Sequence, residues 1–477
     1  MSLKKQSIQG IIWTGIQQFG SQGISFIVSI LLARLLTPSE FGLVAMILVF
    51  ISISQTILDS GLSQSLIRTA DPDTLDYSTV FYFNLVVSLL LYGILYLSAP
   101  FISVFYEQPA LIMLLRVLGL ILIVKAFSIV QLTKLTKEMN FKLQTIITLP
   151  PLLGSALVAV IMAFNGFGVW SLIAYRLIRE ILNSSLLWIY SKWKPNLLFS
   201  ILKFKYHFKF GVNLLFSGIL NGVFNNLYTL IIGKYFSAAQ LGYFNRANSL
   251  QRLPVQNLGN ILNKVTYPMF SKINDNDQKL RKAYLKVIGL SIFVMSPIMI
   301  FMGVLAKPLI LFLLTDKWIA VVPYLQPLLI AGLLYPIHSF NLNILKVKGR
   351  SHLFLRLEII KKIITVLAVL FAINYGVIGL VWSIVGTSIV ALVINTYYSG
   401  KLINLTIAYQ LKRIMPSILI GVCCGGLVFV TSVWLKESYH VVNLLVSTMI
   451  GFVSYIMFAH ITKNSDYIEL KKIILKR

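Results

Sequence analysis

The chain is 477 residues long, 57% hydrophobic and only 12% charged, with a mean hydropathy of +0.82. Water-soluble domains carry about 25% charged and about 45–50% apolar residues, so a soluble globular protein is excluded. The formal charge of +27 would suggest a nucleic-acid partner in a soluble protein, but here the basic residues gather in alternate connections between apolar segments, as a lipid bilayer demands.

From the N-terminus, Lys4 and Lys5 precede an apolar segment running from Ile8 to Leu32. It is longer than the ~7–15-residue core of a signal peptide, and no small-x-small cleavage site follows it. An uncleaved first span is expected. Apolar segments of spanning length recur along the chain. Their extents are 8–33, 41–62, 79–104, 111–133, 144–164, 168–190, 210–235, 247–270, 284–305, 319–345, 355–373, 378–398, 414–434 and 441–461. A transmembrane barrel would show ~10-residue alternating segments instead. The expected fold is therefore an all-α integral membrane protein of about 14 transmembrane helices. Cys423 and Cys424 lie side by side in one apolar run, which suits helix packing and not a structural disulfide.

Basic clusters mark one face: Lys134, Lys137 and Lys142; Lys192, Lys194, Lys203, Lys205 and Lys209; Lys272, Lys279, Arg281 and Lys282; Lys346, Lys348, Arg350 and Arg356; and, in the tail, Lys463, Lys471, Lys472, Lys476 and Arg477. The intervening connections hold Arg34, Lys234, Arg246, Lys307, Lys317 and Lys436. About 30 basic residues fall on one side and about six on the other, which predicts that both termini are cytoplasmic.

The chain also repeats itself. Arg34-Leu-Leu-Thr37-Pro-Ser-Glu40-Phe-Gly42 follows the first helix, and Lys234-Tyr-Phe-Ser237-Ala-Ala-Gln240-Leu-Gly242 follows the seventh. A looser pair is Asn165 through Trp170-Ser171 before helix six and Asn374 through Trp382-Ser383 before helix twelve. Internal repeats of this kind are common in transporters. They divide the chain into an N-terminal lobe of helices 1–6 (1–205), a C-terminal lobe of helices 7–12 (206–405) and a final pair of helices with a basic tail (406–477).

Three stretches, Lys5 to Trp13, Ala33 to Gly42 and Asp59 to Ile67, resemble Wzx-type polysaccharide flippases of the multidrug/oligosaccharidyl-lipid/polysaccharide exporter superfamily. The likeness is closest to the branch with colanic acid and teichuronic acid exporters. It covers nearly the whole chain in span number and spacing, with the sharp motifs in the first seventy residues. The resemblance implies two six-helix lobes around a central cavity, alternating access and residence in the cytoplasmic membrane. It implies a polyprenyl-pyrophosphate-linked oligosaccharide as cargo, with membrane lipid and other polysaccharide-assembly proteins as partners, and neither a cofactor nor nucleic acid.

Independently of that resemblance, several spans carry polar residues. A charge at the bilayer centre costs at least ~2.5–3.5 kcal/mol on insertion scales, so it is expected to face a cavity or a partner. Helix six holds Arg176, Arg179 and Glu180 at i, i+3 and i+4, with Arg179 ~16 Å along the axis and so near midplane. One carboxylate cannot neutralise two guanidiniums, so an anion site is expected there, the rival reading being an Arg–Glu pair that locks the bundle. Helix eight presents Ser249, Arg252, Gln256, Asn260 and Asn263 along one stripe, with Lys264 at its margin. Helix seven gives Asn213, Ser217, Asn221 and Asn225, and helix two Ser52, Gln55, Asp59 and Ser63. Such stripes suit either sugar hydroxyls or interhelical hydrogen bonds. Arg116 and Lys125 lie nine residues apart on helix four, on opposite faces unless that helix is broken; Arg116 joins Arg252 and Lys264 as further candidates for the anion site, and Lys125 could snorkel to the surface. His338 in helix ten reads as a hydrogen-bonding residue. Asp59 and Glu180 are taken as the acids within or at the edge of a span, and hence as candidates for cation coupling.

Two other functions compete with this one. A membrane enzyme acting on lipid-linked sugars would carry catalytic groups on a sizeable external loop, and the external connections here are short, with no P-loop, zinc-protease pattern or nucleophile elbow. An ion-coupled multidrug exporter of the same superfamily is the nearer alternative, but the excess of intramembrane cations favours an anionic cargo.

Overall fold

The structure is a computed structural model that describes residues 3–191, 193–435 and 438–475. The side chains of residues 3–8, 11 and 260–264 lie outside that description. The chain forms two compact units, Met1–Gly242 and Tyr243–Arg477.

The first unit contains α1 (Leu3–Leu35), α2 (Pro38–Asp59), α3 (Leu62–Arg68), α4 (Thr74–Tyr106), α5 (Leu111–Gly119), α6 (Ile121–Lys137), α7 (Phe141–Phe164), α8 (Val169–Tyr190), α9 (Ile201–Asn225), α10 (Leu227–Tyr235) and the start of α11 (Ala238–Lys272). Three predicted helices are broken in the structure. Helix two stops at Asp59 because Ser60 and Gly61 both adopt left-handed backbone angles (φ 45° and 68°) before α3 resumes. The break admits α9: a Cβ on Gly211 would overlap the Ser60 carbonyl, so only glycine allows that crossing. Helix four is interrupted at Leu120, and helix seven, expected over 210–235, begins at Ile201 and bends by 44° at Asn226.

The repeated motif now has a physical meaning. Thr37 N donates to Glu40 Oε2 (2.7 Å) and Glu40 N to Thr37 Oγ1 (3.4 Å), a reciprocal capping box that starts α2. Ser237 and Gln240 repeat it at the start of α11, with both bonds at 3.2 Å. The two copies pack against each other. A Cβ on Gly42 would overlap the Ala238 carbonyl, and one on Gly242 would overlap the Pro38 carbonyl. Basic residue, hydroxyl, Glu/Gln and glycine thus recur because two helix starts cross reciprocally.

The core of this unit is aromatic where α3, α4 and α6 meet the 191–200 connection. Leu62, Leu66, Tyr77, Phe81, Val130 and Trp193 form one buried cluster, and Trp188 Nε1 donates to the Phe127 carbonyl at 3.0 Å. The outside is the reverse of a soluble protein. Leu90, Ile94, Leu97, Phe101 and Val104 form an exposed apolar stripe along α4, with Phe101 77% exposed. That is a liability in water and the natural surface in lipid.

The second unit holds the rest of α11, α12 (Asp277–Val304), α13 (Ala306–Leu314), a short 3-10 turn, α14 (Val322–Val347), α15 (Ser351–Ala372), α16 (Gly376–Leu402), α17 (Ile407–Trp434), α18 (His440–Ile461) and α19 (Ser465–Leu475). Phe270, Leu280, Tyr284, Ile288, Phe340, Ile344 and Ile414 form its main core. A polar knot lies inside that core. Tyr284 Oη is 2.7 Å from both Asn341 Oδ1 and Gln410 Oε1, and Ser399 Oγ donates to Asn341 Oδ1 at 2.6 Å. Hydrogen bonds inside the core lower the cost of burying these polar groups, the single Tyr284 hydroxyl proton serving one of its two amide neighbours at a time.

All fourteen predicted segments are helical. Among the described residues, ten stretches are long and apolar enough to cross a membrane by length and composition, or eleven with the bent α9–α10 pair. One of the ten, Ser351–Leu402, contains both α15 and α16. The charged helices α8 and α11 are absent from that set because they carry the polar residues discussed next. The chain is a multi-pass, all-α membrane protein.

Candidate functional site

Helix α8 packs its apolar and small residues, Ser171, Leu172, Ile173, Ser184 and Leu187, into the first unit. This leaves Arg176 exposed and Arg179 and Glu180 half-buried. No ion pair or hydrogen bond links Glu180 to Arg176 or Arg179 among the described residues, so the bundle-locking pair is not formed. The charges of Lys125 and Arg179 both act on Glu180 at longer range, and Arg176 and Arg179 repel each other.

The break in helix four lets Lys125 turn inward. Its Nζ donates to Gln55 Oε1 at 3.2 Å, which ties α6 to the polar stripe of α2. The lysine does not snorkel to the surface. Gln55, Lys125, Arg179 and Glu180 therefore form one polar region, in which two cations, Lys125 and Arg179, act on one carboxylate, with Arg176 one turn away beside Arg179. Arg116 is drawn elsewhere: its guanidinium lies 4.1 Å over the Tyr96 ring and donates to the Tyr96 carbonyl at 3.4 Å.

The rest of the α2 stripe is structural in part. Asp59 accepts from Ser63 Oγ beside the α2–α3 break, and Ser52 Oγ accepts from Asn226 Nδ2 at 3.3 Å. On α9, Asn221 and Asn225 are exposed. Asn226, one position beyond the predicted stripe, makes the interhelical bond because the helix breaks there.

In the second unit, Gln251, Val255 and Gly259 face α14. A Cβ on Gly332 would overlap the Gln251 amide, and one on Gly259 would lie 2.8 Å from the Tyr335 ring. The adjoining face presents Ser249, Arg252 and Gln256, all exposed. Asn260 and Lys264 continue the helix, but their side chains lie outside the described residues.

Two polar clusters escaped the sequence reading. The first joins α3, α4 and α9. His207, fully buried, places Nδ1 2.8 Å from Ser65 Oγ and Nε2 3.1 Å from Asp76 Oδ1, while Lys203 Nζ donates to Asp76 Oδ2 (2.9 Å) and Asp73 Oδ2 (3.1 Å). The Asp76 backbone N–H bonded to Asp73, with Lys203 beside it, holds the Asp73 carboxyl below its ordinary range. The second is a cavity of about 310 Å³ in the second unit, bordered by His338, Lys361, Thr365, Thr387, Ser388 and Asn395. His338 Nε2 lies 3.0 Å from Ser388 Oγ, in keeping with its expected hydrogen-bonding role. Lys361 pairs with Glu358. Glu358, Lys361 and Lys362 all fall within the predicted span 355–373, so their signal was present in the sequence, and Glu358 corrects the view of Asp59 and Glu180 as the only acids in or beside a span.

Known proteins share the sequence and the fold of this chain. The chain is 27% identical over 434 residues to the teichuronic acid biosynthesis protein TuaB of Bacillus subtilis (strain 168), covering 90% of this chain and 89% of that one. It is 25% identical over 467 residues to the succinoglycan biosynthesis transport protein ExoT of Rhizobium meliloti (strain 1021), covering 97% and 94%. Its fold is similar to that of the lipid II flippase MurJ in an inward closed conformation, with a TM-score of 0.72 at 16% identity, over 95% of this chain and 99% of that one. The model of one protein family, described as polysaccharide biosynthesis protein, matches residues 31–323. The chain belongs to that polysaccharide biosynthesis family.

Proposed function

We propose that this protein is a flippase that carries a polyprenyl-pyrophosphate-linked oligosaccharide across the cytoplasmic membrane by alternating access, for cell-surface polysaccharide synthesis. It is a transporter and not an enzyme. The observation that carries the reading is the unmatched charge inside the first unit. A pyrophosphate brings at least two negative charges that cannot cross hydrocarbon unpaired, and Arg176 and Arg179 are guanidinium forks without an acceptor among the described residues. Arg252 offers a further exposed guanidinium on the second unit. The polar stripes with Asn221, Asn225, Gln55 and Gln256 suit sugar hydroxyls. The repeat-based lobes 1–205 and 206–405, and a topology with both termini in the cytoplasm, belong to the same proposal. Excess cation in the span argues against a cationic-drug pump.

The test is surface polysaccharide in a deletion strain complemented with Arg176→Gln/Arg179→Gln, with membrane protein level measured alongside. Normal protein level with export lost supports the anion site. Normal level with normal export overturns it.

A further inference from the structure

Only three residues, Thr462 to Asn464, separate the membrane-crossing helix α18 from α19. At ~3.5 Å per residue, the four steps of that link carry the start of α19 at most about 14 Å from the end of the span, which keeps it at the level of the lipid headgroups. The turn is fully bonded. Lys463 N donates to the His460 carbonyl (3.1 Å) and Asn464 N to the Ala459 carbonyl (2.9 Å), and Lys463 takes a left-handed φ of 50°. Asn464 Oδ1 then accepts from Asp466 N (2.9 Å) and Tyr467 N (3.2 Å), which caps α19. Asp466 is gripped by Arg413 and by Ser417 Oγ (3.0 Å), and Glu469 meets Lys286 at 2.6 Å. The direction of α19 is set within the second unit.

What folding does not explain is the other side of this helix. A cavity of about 510 Å³ opens between α19 and the end of α18, with Lys463, Lys471, Lys472 and His460 on its walls beside the apolar Ile468 and Leu475. The His460 and Tyr467 rings meet edge to face, 5.7 Å between centroids. None of the three lysines has an ion-pair partner among the described residues, and the neighbouring acid, Glu469, is already taken by Lys286. Beyond the cavity, Ile473 and Ile474 are exposed.

We infer that this cavity binds the phosphate headgroup of an anionic diacyl phospholipid, with α19 lying in the membrane interface. The positive-inside rule asks for lysines near a span, but it does not ask for three of them around one cleft with apolar walls. A free anion would leave Ile468 and Leu475 in water. A zwitterionic headgroup would bring its own ammonium towards three others. An anionic phospholipid satisfies both halves of the site: its phosphate meets the lysines, and its acyl chains continue over the apolar end of α19. The inference needs the membrane-spanning placement of α18 but not the cargo proposed above.

The experiment uses the purified full-length protein in detergent and counts retained lipid by native mass spectrometry. The probes are dioleoyl phosphatidylglycerol, dioleoyl phosphatidylcholine and inorganic phosphate. The wild type should retain phosphatidylglycerol at least about tenfold over phosphatidylcholine, and Lys463→Gly/Lys471→Gln/Lys472→Gln should lose on the order of 100-fold, about fivefold for each lysine. Because Lys463→Gly also relieves the left-handed backbone, the thermal midpoint should not fall. If the triple variant does not accumulate, Lys471→Gln/Lys472→Gln at two exposed positions asks the same question. Equal retention of the two lipids by the wild type, or unchanged phosphatidylglycerol retention by either variant, overturns the site. Displacement of the lipid by equimolar inorganic phosphate assigns the cleft to a soluble anion and overturns it equally. None of these outcomes bears on Arg176 and Arg179, whose test is export.

Discussion

Two arginine environments in this molecule are opposites. Arg413, on α17 in the second unit, meets both oxygens of Asp466, one at 2.8 Å, and Asp466 also accepts from Ser417 Oγ; the carboxylate is fully buried. Arg176 and Arg179, on α8 in the first unit, have no acceptor among the described residues, and the one nearby acid is shared by the fields of Lys125 and Arg179. A charge whose partners are complete holds the protein together. A charge left without partners in an apolar span costs stability, and a charged ligand offsets that cost.

The comparison can be broken by mutation. Arg413→Gln leaves Asp466 buried and uncompensated, and should cost about 3–5 kcal/mol, enough to remove most protein from the membrane. Membrane yield and thermal midpoint in detergent check this, and Arg413→Leu/Asp466→Leu should recover part of the loss. Arg176→Gln/Arg179→Gln should behave oppositely, with yield and midpoint unchanged or raised while cargo affinity falls at least about 100-fold, two charged hydrogen bonds at ~1.5–3 kcal/mol each. A drop in stability like that of Arg413→Gln would show that the two environments are alike and that the α8 arginines are structural.

Gly42→Ala and Gly242→Ala sharpen the comparison from the side of the backbone. Each Cβ would enter a carbonyl on the facing helix start, so each should cost about 1–3 kcal/mol, and because the contacts are reciprocal the double variant should be non-additive. A thermal-unfolding cycle on the two singles and the double reads that coupling.

The smallest effect belongs to Asp73. Its folded carboxyl titrates below its ordinary range, so its contribution is complete above the unfolded pKa of ~3.9 and is lost as pH falls through the folded value. At neutral pH, Asp73→Asn keeps a good N-cap and loses only an exposed pair with Lys203, worth a few tenths of a kcal/mol. The wild type should lose that margin only below about pH 4, and the variant should show no such step in thermal midpoint against pH.

Much of the architecture was legible because lipid imposes a simple rule. Apolar runs of spanning length, alternating basic connections and a motif repeated two hundred positions apart are local or periodic patterns. Arg176, Arg179 and Glu180 could be placed on one face from helical spacing alone. The duplicated capping box was visible as residue types, although the close crossing of Gly42 and Gly242 that explains it was not.

What the sequence could not supply were the partnerships. Lys125 with Gln55, His207 with Asp76 and Arg413 with Asp466 join residues 70, 131 and 53 positions apart. No periodicity announces such pairs, because each depends on where a helix breaks or crosses. The break at Leu120 turns Lys125 inward, the Gly61–Gly211 crossing seats α9 beside α4, and the turn at Lys463 returns Asp466 to Arg413. Hydrophobic pattern by itself determined that this is a multi-span helical membrane protein with charge inside its spans. Which of those charges are neutralised by the protein, and which are left for a ligand, was decided by backbone breaks and close helix crossings that exist only in the folded chain.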